Sequence, residues 1–284
     1  MKKLLILSIF ISSISFGQSN TEVFLYNITK ENGNYYITDG KNISNNPGYD
    51  SQPHFYSKKE IIFASNRNKH TDIAKYNMST GSITFINDTP KGGEYSPQRI
   101  PKSKDISAVR LDDDGLQRFY RYNSKTGKSK ELIADLKVAY PFWLEKNVAI
   151  NVVIVDGGLD LIMTDLKSKR NTTIDKKVGR SLHRFPGTEF VSYISKEKEQ
   201  WEVKMYDPNT RERRKIIDTV GNKEDVCWLP DGTLLIAVGN TLMKFNPETD
   251  KDWSIFHVFS KTKHKNISRI IINDRGTKLA LVSE

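Results

Sequence analysis

Tyr76-Asn77-Met78-Ser79-Thr80-Gly81 is an aromatic residue, an Asn and then a turn, and the chain keeps returning to that phrase. It recurs as Tyr122-Asn123-Ser124-Lys125-Thr126-Gly127 and is already present as Tyr26-Asn27-Ile28-Thr29-Lys30. Weaker copies follow as Thr164-Asp165-Leu166-Lys167, Tyr206-Asp207-Pro208-Asn209-Thr210 and Phe245-Asn246-Pro247-Glu248-Thr249. The Asn or Asp positions 27, 77, 123, 165, 207 and 246 step by 50, 46, 42, 42 and 39 residues. A period of that size marks stacked or radial repeats, and it takes precedence over any local pattern.

A second series supports the first. Phe55, Arg99, Trp143, Phe185, Trp228 and Ile272 each precede a turn, and they step by 44, 44, 42, 43 and 44 residues. Pro53, Pro97 and Pro141 stand two residues before the first three. Between the two anchors the pattern is that of strands. Ile61-Ile62-Phe63-Ala64-Ser65 is a β-rich apolar run, a polar turn follows, then Asp72-Ile73-Ala74-Lys75-Tyr76, the Met78–Gly81 turn, and Ile83-Thr84-Phe85-Ile86. Short β-branched and aromatic runs split by Gly, Asn, Asp and Pro read as antiparallel strands joined by hairpins. Four strands in roughly 40–45 residues is the arithmetic of a propeller blade. No segment keeps an apolar stripe at helical spacing over three turns.

The order of the anchors predicts how the ring closes. The chain opens on a third-strand phrase, Tyr26-Asn27, and ends on a first and second strand, Ser268–Ile272 and Lys278–Ser283. Together the two halves make one blade. The sequence therefore predicts an all-β fold: a six-bladed β-propeller of four-stranded antiparallel blades, the last closed by both termini. Such a closure removes the open seam that a ring of sheets would otherwise expose.

Met1-Lys2-Lys3, the 11 residues Leu4–Ile14 and the small residues around Ser15-Phe16-Gly17 have the form of a secretory signal peptide cut before Gln18. The apolar run is shorter than the roughly 20 residues a membrane span needs. The expected organisation is a leader over 1–17 and a single propeller domain over 18–284, with no membrane span and a periplasmic address. Net charge is +10, and falls to +8 once Lys2 and Lys3 leave with the leader. The surplus is local, in Lys167-Ser168-Lys169-Arg170, Arg211-Glu212-Arg213-Arg214-Lys215 and Lys261-Thr262-Lys263-His264-Lys265. Basic runs at turns solvate an outer edge and block edge pairing. Nucleic acid is not an expected partner of an exported chain; an acidic envelope surface is the alternative use of this charge. The single cysteine, Cys227, excludes an internal disulfide and reads as a small buried hydrophobe.

Asp50-Ser51-Gln52-Pro53-His54-Phe55 through Arg67, with Thr71-Asp72-Ile73, Tyr76-Asn77 and Thr80-Gly81, resembles the β-propeller repeat of the TolB family. Trp228-Leu229-Pro230-Asp231-Gly232 is similar to the turn of that repeat in a later blade. The resemblance implies a six-bladed periplasmic propeller. The family's namesake carries an α/β domain ahead of its propeller; here the first repeat phrase follows the expected leader directly, so a propeller without that domain is expected.

In a propeller the first strand of each blade lines the central channel. Positions three to five residues before each anchor then ring the channel mouth: Asp50, Gln52, Glu94, Tyr95, Tyr140, Arg180, Asp225 with Glu224, and Arg269. His183 takes the place that Pro holds in the first three repeats. A mixed-charge rim bearing tyrosines suits hydrogen bonding and stacking on a polar ligand or peptide. Catalytic patterns are thin. The five histidines lack metal-ligand spacing, and neither a Gly-x-Ser-x-Gly elbow nor a Gly-rich phosphate loop is present. Asp112-Asp113-Asp114-Gly115 and Asp156-Gly157-Gly158 read as hairpin turns, and Arg67 with Asp72 as a cross-strand ion pair pinning a hairpin.

These features predict a monomeric binding module with no catalytic residues and no resident cofactor. It would engage an envelope protein or polysaccharide through the channel mouth. The alternative is a metal-dependent hydrolase or lyase acting on a glycan or lactone. It would hold a divalent metal in the channel with Asp50, Glu94, Asp225 and His183. Convergence of three or more of those side chains on one point separates the two.

Overall fold

The computed structural model describes residues 20–67, 70–89 and 91–284. The expected leader, 1–17, lies outside these residues. Among the described residues the regular structure is all strand, and no helix is long and apolar enough to cross a membrane.

The chain opens with β1 (Glu22–Glu31) and β2 (Asn34–Asn42). An eight-stranded sheet follows, built from β3 (Asp50–Phe55), β4 (Glu60–Arg67), β5 (His70–Asn77), β6 (Ile83–Phe85), β7 (Gly93–Arg99), β8 (Ile106–Leu111), β9 (Gln117–Tyr122) and β10 (Ser129–Ile133). Its two halves, β3–β6 and β7–β10, are antiparallel meanders joined by one parallel pair, Thr71 with Gly93. Three separate four-stranded antiparallel sheets come next. They are β11 (Val138–Glu145), β12 (Val148–Val155), β13 (Gly158–Asp165), β14 (Arg170–Asp175); β15 (Val178–Arg184), β16 (Val191–Ser195), β17 (Glu202–Tyr206), β18 (Arg213–Asp218); and β19 (Val226–Trp228), β20 (Leu234–Val238), β21 (Thr241–Phe245), β22 (Ser254–Val258). The last strands, β23 (Ile267–Ile272) and β24 (Lys278–Ser283), form a sheet with the first two in the order β2-β1-β24-β23. Glu22 lies opposite Ser283 and Asn27 opposite Lys278.

This is a β-propeller with four-stranded antiparallel blades. Where six separate sheets were expected, there are four four-stranded sheets and one of eight, because the Thr71–Gly93 pair fuses two meanders. The innermost strands touch in sequence: β3 with β7, β7 with β11, β11 with β15, β15 with β19, β19 with β23, and β23 with β3.

Burial follows the two-residue period of a strand covered on both faces. Phe24, Tyr26 and Ile28 of β1 join Cys227, Leu235 and Leu242 in one cluster, whereas Val23 and Leu25 join Ile61, Phe63 and Tyr76 in the next. In β24, Leu279 and Leu281 go one way and Ala280 and Val282 the other. Side chains such as Phe63, Ile61 and Leu229, all at 0% exposure, each contribute about 1.5–3 kcal/mol by leaving water. Cys227 is a free thiol in this apolar layer, and burial pushes its ionisation up.

In five of its six copies the recurring Asn or Asp is a turn device; Asn27, expected to precede a turn, lies instead within β1, opposite Thr38 and Lys278. Asn77 Oδ1 accepts from the N–H groups of Ser79 (2.9 Å) and Thr80 (3.2 Å), and Asn123 Oδ1 from those of Lys125 (3.1 Å) and Thr126 (3.0 Å). Asp165 does the same for Lys167 and Ser168, Asp207 for Asn209, and Asn246 for Glu248. An Asx side chain that satisfies main-chain N–H groups ahead of it fixes the turn between the third and fourth strands. The hairpin expectations also hold. Arg67 pairs with Asp72 at 2.8 Å. Asp112 to Gly115 closes β8 onto β9 with Gly115 N–H donating to Asp112 O at 2.9 Å.

Candidate functional site

The channel is lined by a repeated irregularity of the inner strands. Pairing shifts register between Ser51 and His54 in β3, Tyr95 and Gln98 in β7, Val138 and Tyr140 in β11, Val178 and Leu182 in β15, and Ile267 and Arg269 in β23. At the first two of these bulges Gln52 (φ 57°) and Ser96 (φ 50°) adopt a left-handed backbone. The following Pro53 or Pro97 has no N–H to lose from the ladder. A bulge re-aims side chains. Here the residues within and just after the shifted stretches line the channel.

The result is a central cavity of about 480 Å³ lined from β3, β7, β11, β15 and β23, with Asp225 contributing from just before β19. Six of the ten expected mouth residues line it: Gln52, Tyr140, Arg180, His183, Asp225 and Arg269. Four do not: Asp50, Glu94, Tyr95 and Glu224. Asp50 and Glu94, both at 0% exposure, point into the blades instead of the channel. The bulge lies beyond them, so strict alternation along the strand does not carry them to the same face as Gln52 and Ser96. Tyr95 stands off the cavity, with its ring 5.9 Å from that of Tyr49 in an edge-to-face pair.

Asp225 organises the charged side of the site. It receives Arg180 in a fork, Nε to Oδ1 at 3.2 Å and Nη2 to Oδ2 at 2.8 Å, and Arg269 Nη1 at 3.2 Å. Arg180 Nη2 also donates to Ser268 O at 3.1 Å. Glu224 accepts from the Arg180 N–H at 3.0 Å and pairs with Lys196 at 2.9 Å. Burial alone would raise the Glu224 carboxyl, but Lys196 and the Arg180 main-chain and side-chain groups hold it below the ordinary range. The two guanidiniums are thus oriented by carboxylates yet keep 27% and 20% of their side-chain surface accessible.

His54 and His183 also line the cavity. Enclosure lowers both to about 4, helped at His54 by Arg99 and at His183 by His54 itself. Both imidazoles are neutral at physiological pH. Neighbouring inner strands are stitched by Ser96 N–H to Gln52 Oε1 at 2.8 Å and Gln98 Nε2 to Pro141 O at 2.6 Å. His54, Gln98 and Phe142 were not singled out from the sequence, although each stands one residue before its anchor and the period places them alike. Tyr49 escaped because it stands six residues before its anchor, outside the window of three to five.

The four side chains considered as metal ligands do not come together. Asp50 and Glu94 are inside the blades, Asp225 is engaged by two arginines, and only His183 and Asp225 line the cavity. Among the described residues no group of three or more His, Cys, Asp or Glu converges on one point.

No protein-family model and no curated protein matches the chain. Solved structures match its fold. A protein designated TolB from Agrobacterium tumefaciens superposes with a TM-score of 0.71 at 11% identity, covering 94% of this chain and 99% of that one. A gluconolactonase from Xanthomonas campestris gives 0.64 at 10% identity over 95% of this chain and 98% of that one. An oligogalacturonate lyase in complex with manganese gives 0.58 at 12% identity over 88% and 82%. Likeness at such identity speaks for the propeller fold and not for a shared activity.

Proposed function

We propose that the chain is an exported, periplasmic propeller of the TolB type. It acts as a binding module that grips an extended segment of an envelope protein or polysaccharide at the mouth of its channel. Six inner strands in mutual contact support counting the eight-stranded sheet as two blades, six in all. The pairing of β1 with β24 supports closure of that ring by strands from both ends. The leader-like sequence over 1–17 supports export.

The observation that carries the binding reading is the Arg180–Asp225–Arg269 group at the channel wall. Two guanidiniums are held in place by one carboxylate while still accessible from the channel. Preoriented donors beside Tyr140 and Gln52 give a polar ligand hydrogen bonds at little ordering cost. A concave, mostly preformed site of this kind suits an extended polar segment.

The test is a double variant, Arg180→Gln with Arg269→Gln, used as bait against solubilised envelope beside the wild type. Partner retention should drop at least about tenfold, the loss of one to two charge-assisted hydrogen bonds. Equal retention by a variant that melts like the wild type would remove the site from the account.

A further inference from the structure

Asp50 and Glu94 hold the same place in successive repeats, five residues before Phe55 and Arg99, and both are at 0% exposure. Their surroundings differ. Glu94 accepts from Thr89 Oγ1 and Tyr122 OH, each at 2.8 Å, and from Asn87 Nδ2 at 2.7 Å. Among the described residues, neither carboxylate oxygen of Asp50 has a hydrogen-bond partner.

The main chain of Asp50 lies at a seam. Its N–H donates to Thr21 O and its carbonyl accepts from Thr21 Oγ1, both at 3.0 Å. Thr21 N–H donates to Gly48 O at 3.0 Å, and Asn66 N–H to Tyr49 O at 2.8 Å. The entry to β1, the 43–49 loop, β3 and β4 therefore meet around this side chain. The groups facing it are Glu22 from β1, Asn46 from the loop and Ser65 from β4. Glu22 is of like charge and is itself taken up by Ser44 Oγ and the Asn46 N–H. Burial pushes the Asp50 carboxyl up to about 7 and Glu22 adds to the rise; the Ser65 and Asn46 side chains draw it down only in part, since neither reaches full hydrogen-bond geometry to it. A buried carboxylate without a partner is tolerated when neutral and costly when ionised.

We propose that Asp50 is a proton-operated latch beside the channel mouth. Protonated, it lets the entry of β3 close against β1 and the 43–49 loop. Ionised, it loosens that seam together with its neighbours Tyr49 and Gln52. The sign follows from proton linkage. The folded chain holds this proton more tightly than the unfolded chain, whose Asp titrates near 3.9. The contribution is therefore greatest below that value, is lost as pH rises from about 4 to about 7, and stays lost above.

The test compares the wild type with Asp50→Asn, which keeps the shape and cannot ionise, in urea unfolding between about pH 4 and pH 8. Glu224 and Asp231 shift the opposite way, so the readout is the ratio of the two folding constants. That ratio, D50N over wild type, should grow at least tenfold across the window and up to about a thousandfold. A ratio that does not change with pH would overturn the latch. Should D50N fail to fold, hydrogen exchange on the wild type decides. The amides of Thr21, Asp50 and Asn66 should lose protection between about pH 4 and pH 7, beyond the intrinsic tenfold rise per pH unit, and lose no more above that window. Protection that follows the intrinsic rise alone would overturn the proposal equally.

Discussion

Gln52 and Ser96 decide which side chains meet the channel. In an unbroken strand Asp50, Gln52 and His54 share a face, and that alternation is all a sequence displays. The left-handed backbone at Gln52 and Ser96 breaks it. Pro53 and Pro97 hint at the break, since Pro within a strand marks an edge or a bulge. Which face each residue then takes is set by tertiary pairing, so Asp50 and Glu94 were legible as strand starts but not as buried groups. A second arrangement at this scale is the pair of indole contacts. Trp143 Nε1 donates to Ser107 Oγ at 2.7 Å, and Trp228 Nε1 to Ser192 Oγ at 2.8 Å, each across two sheets. The same hydroxyls reach back to their own inner strands, Ser107 to Gln98 O and Ser192 to His183 O. Ser107→Ala and Ser192→Ala each leave a buried indole N–H without an acceptor. Each should cost about 1–3 kcal/mol in urea unfolding. A loss within measurement error in both would show that these contacts are incidental.

At the scale of the element, the Asx turns explain why the Asn or Asp survives where the aromatic before it drifts. Gly81 and Gly127, four residues after Asn77 and Asn123, have φ of 75° and 69°. In the next two copies the equivalent positions are Lys169 (φ 55°) and Arg211 (φ 65°). A residue with a Cβ is strained there by about 1–2 kcal/mol, and glycine, freer when unfolded, returns part of that gain. Lys169→Gly and Arg211→Gly should therefore raise stability by about 0.5–1 kcal/mol each, read as a higher denaturant midpoint at unchanged slope. A lower midpoint in both would mean that these side chains hold their turns in some other way. Strand existence and turn position were legible here because short-range chemistry sets both.

For the whole molecule the period was the legible part, and it carried the propeller, the four-stranded blades and the pairing of the two chain ends. The join between the β3–β6 and β7–β10 meanders was not legible, because the Thr71–Gly93 pair depends on how two blades tilt against each other. The channel's polar lining was partly legible: the anchors found Gln52, Tyr140, Arg180, His183, Asp225 and Arg269. The mutual arrangement of Arg180, Asp225 and Arg269 was not, because it joins residues about 45 positions apart through ring geometry.

Site-specific photo-crosslinking in the native envelope tests the binding reading most directly. A photoreactive amino acid would replace Tyr140 in the channel wall and, in a separate chain, Ile255, which is 65% exposed on the outer strand β22. Both chains must melt like the wild type. The account predicts a discrete adduct from the Tyr140 position, diminished by Arg180→Gln with Arg269→Gln, and none from Ile255. Adducts from Ile255 with none from Tyr140 would place the working surface on the outer edge and contradict a channel-mouth module.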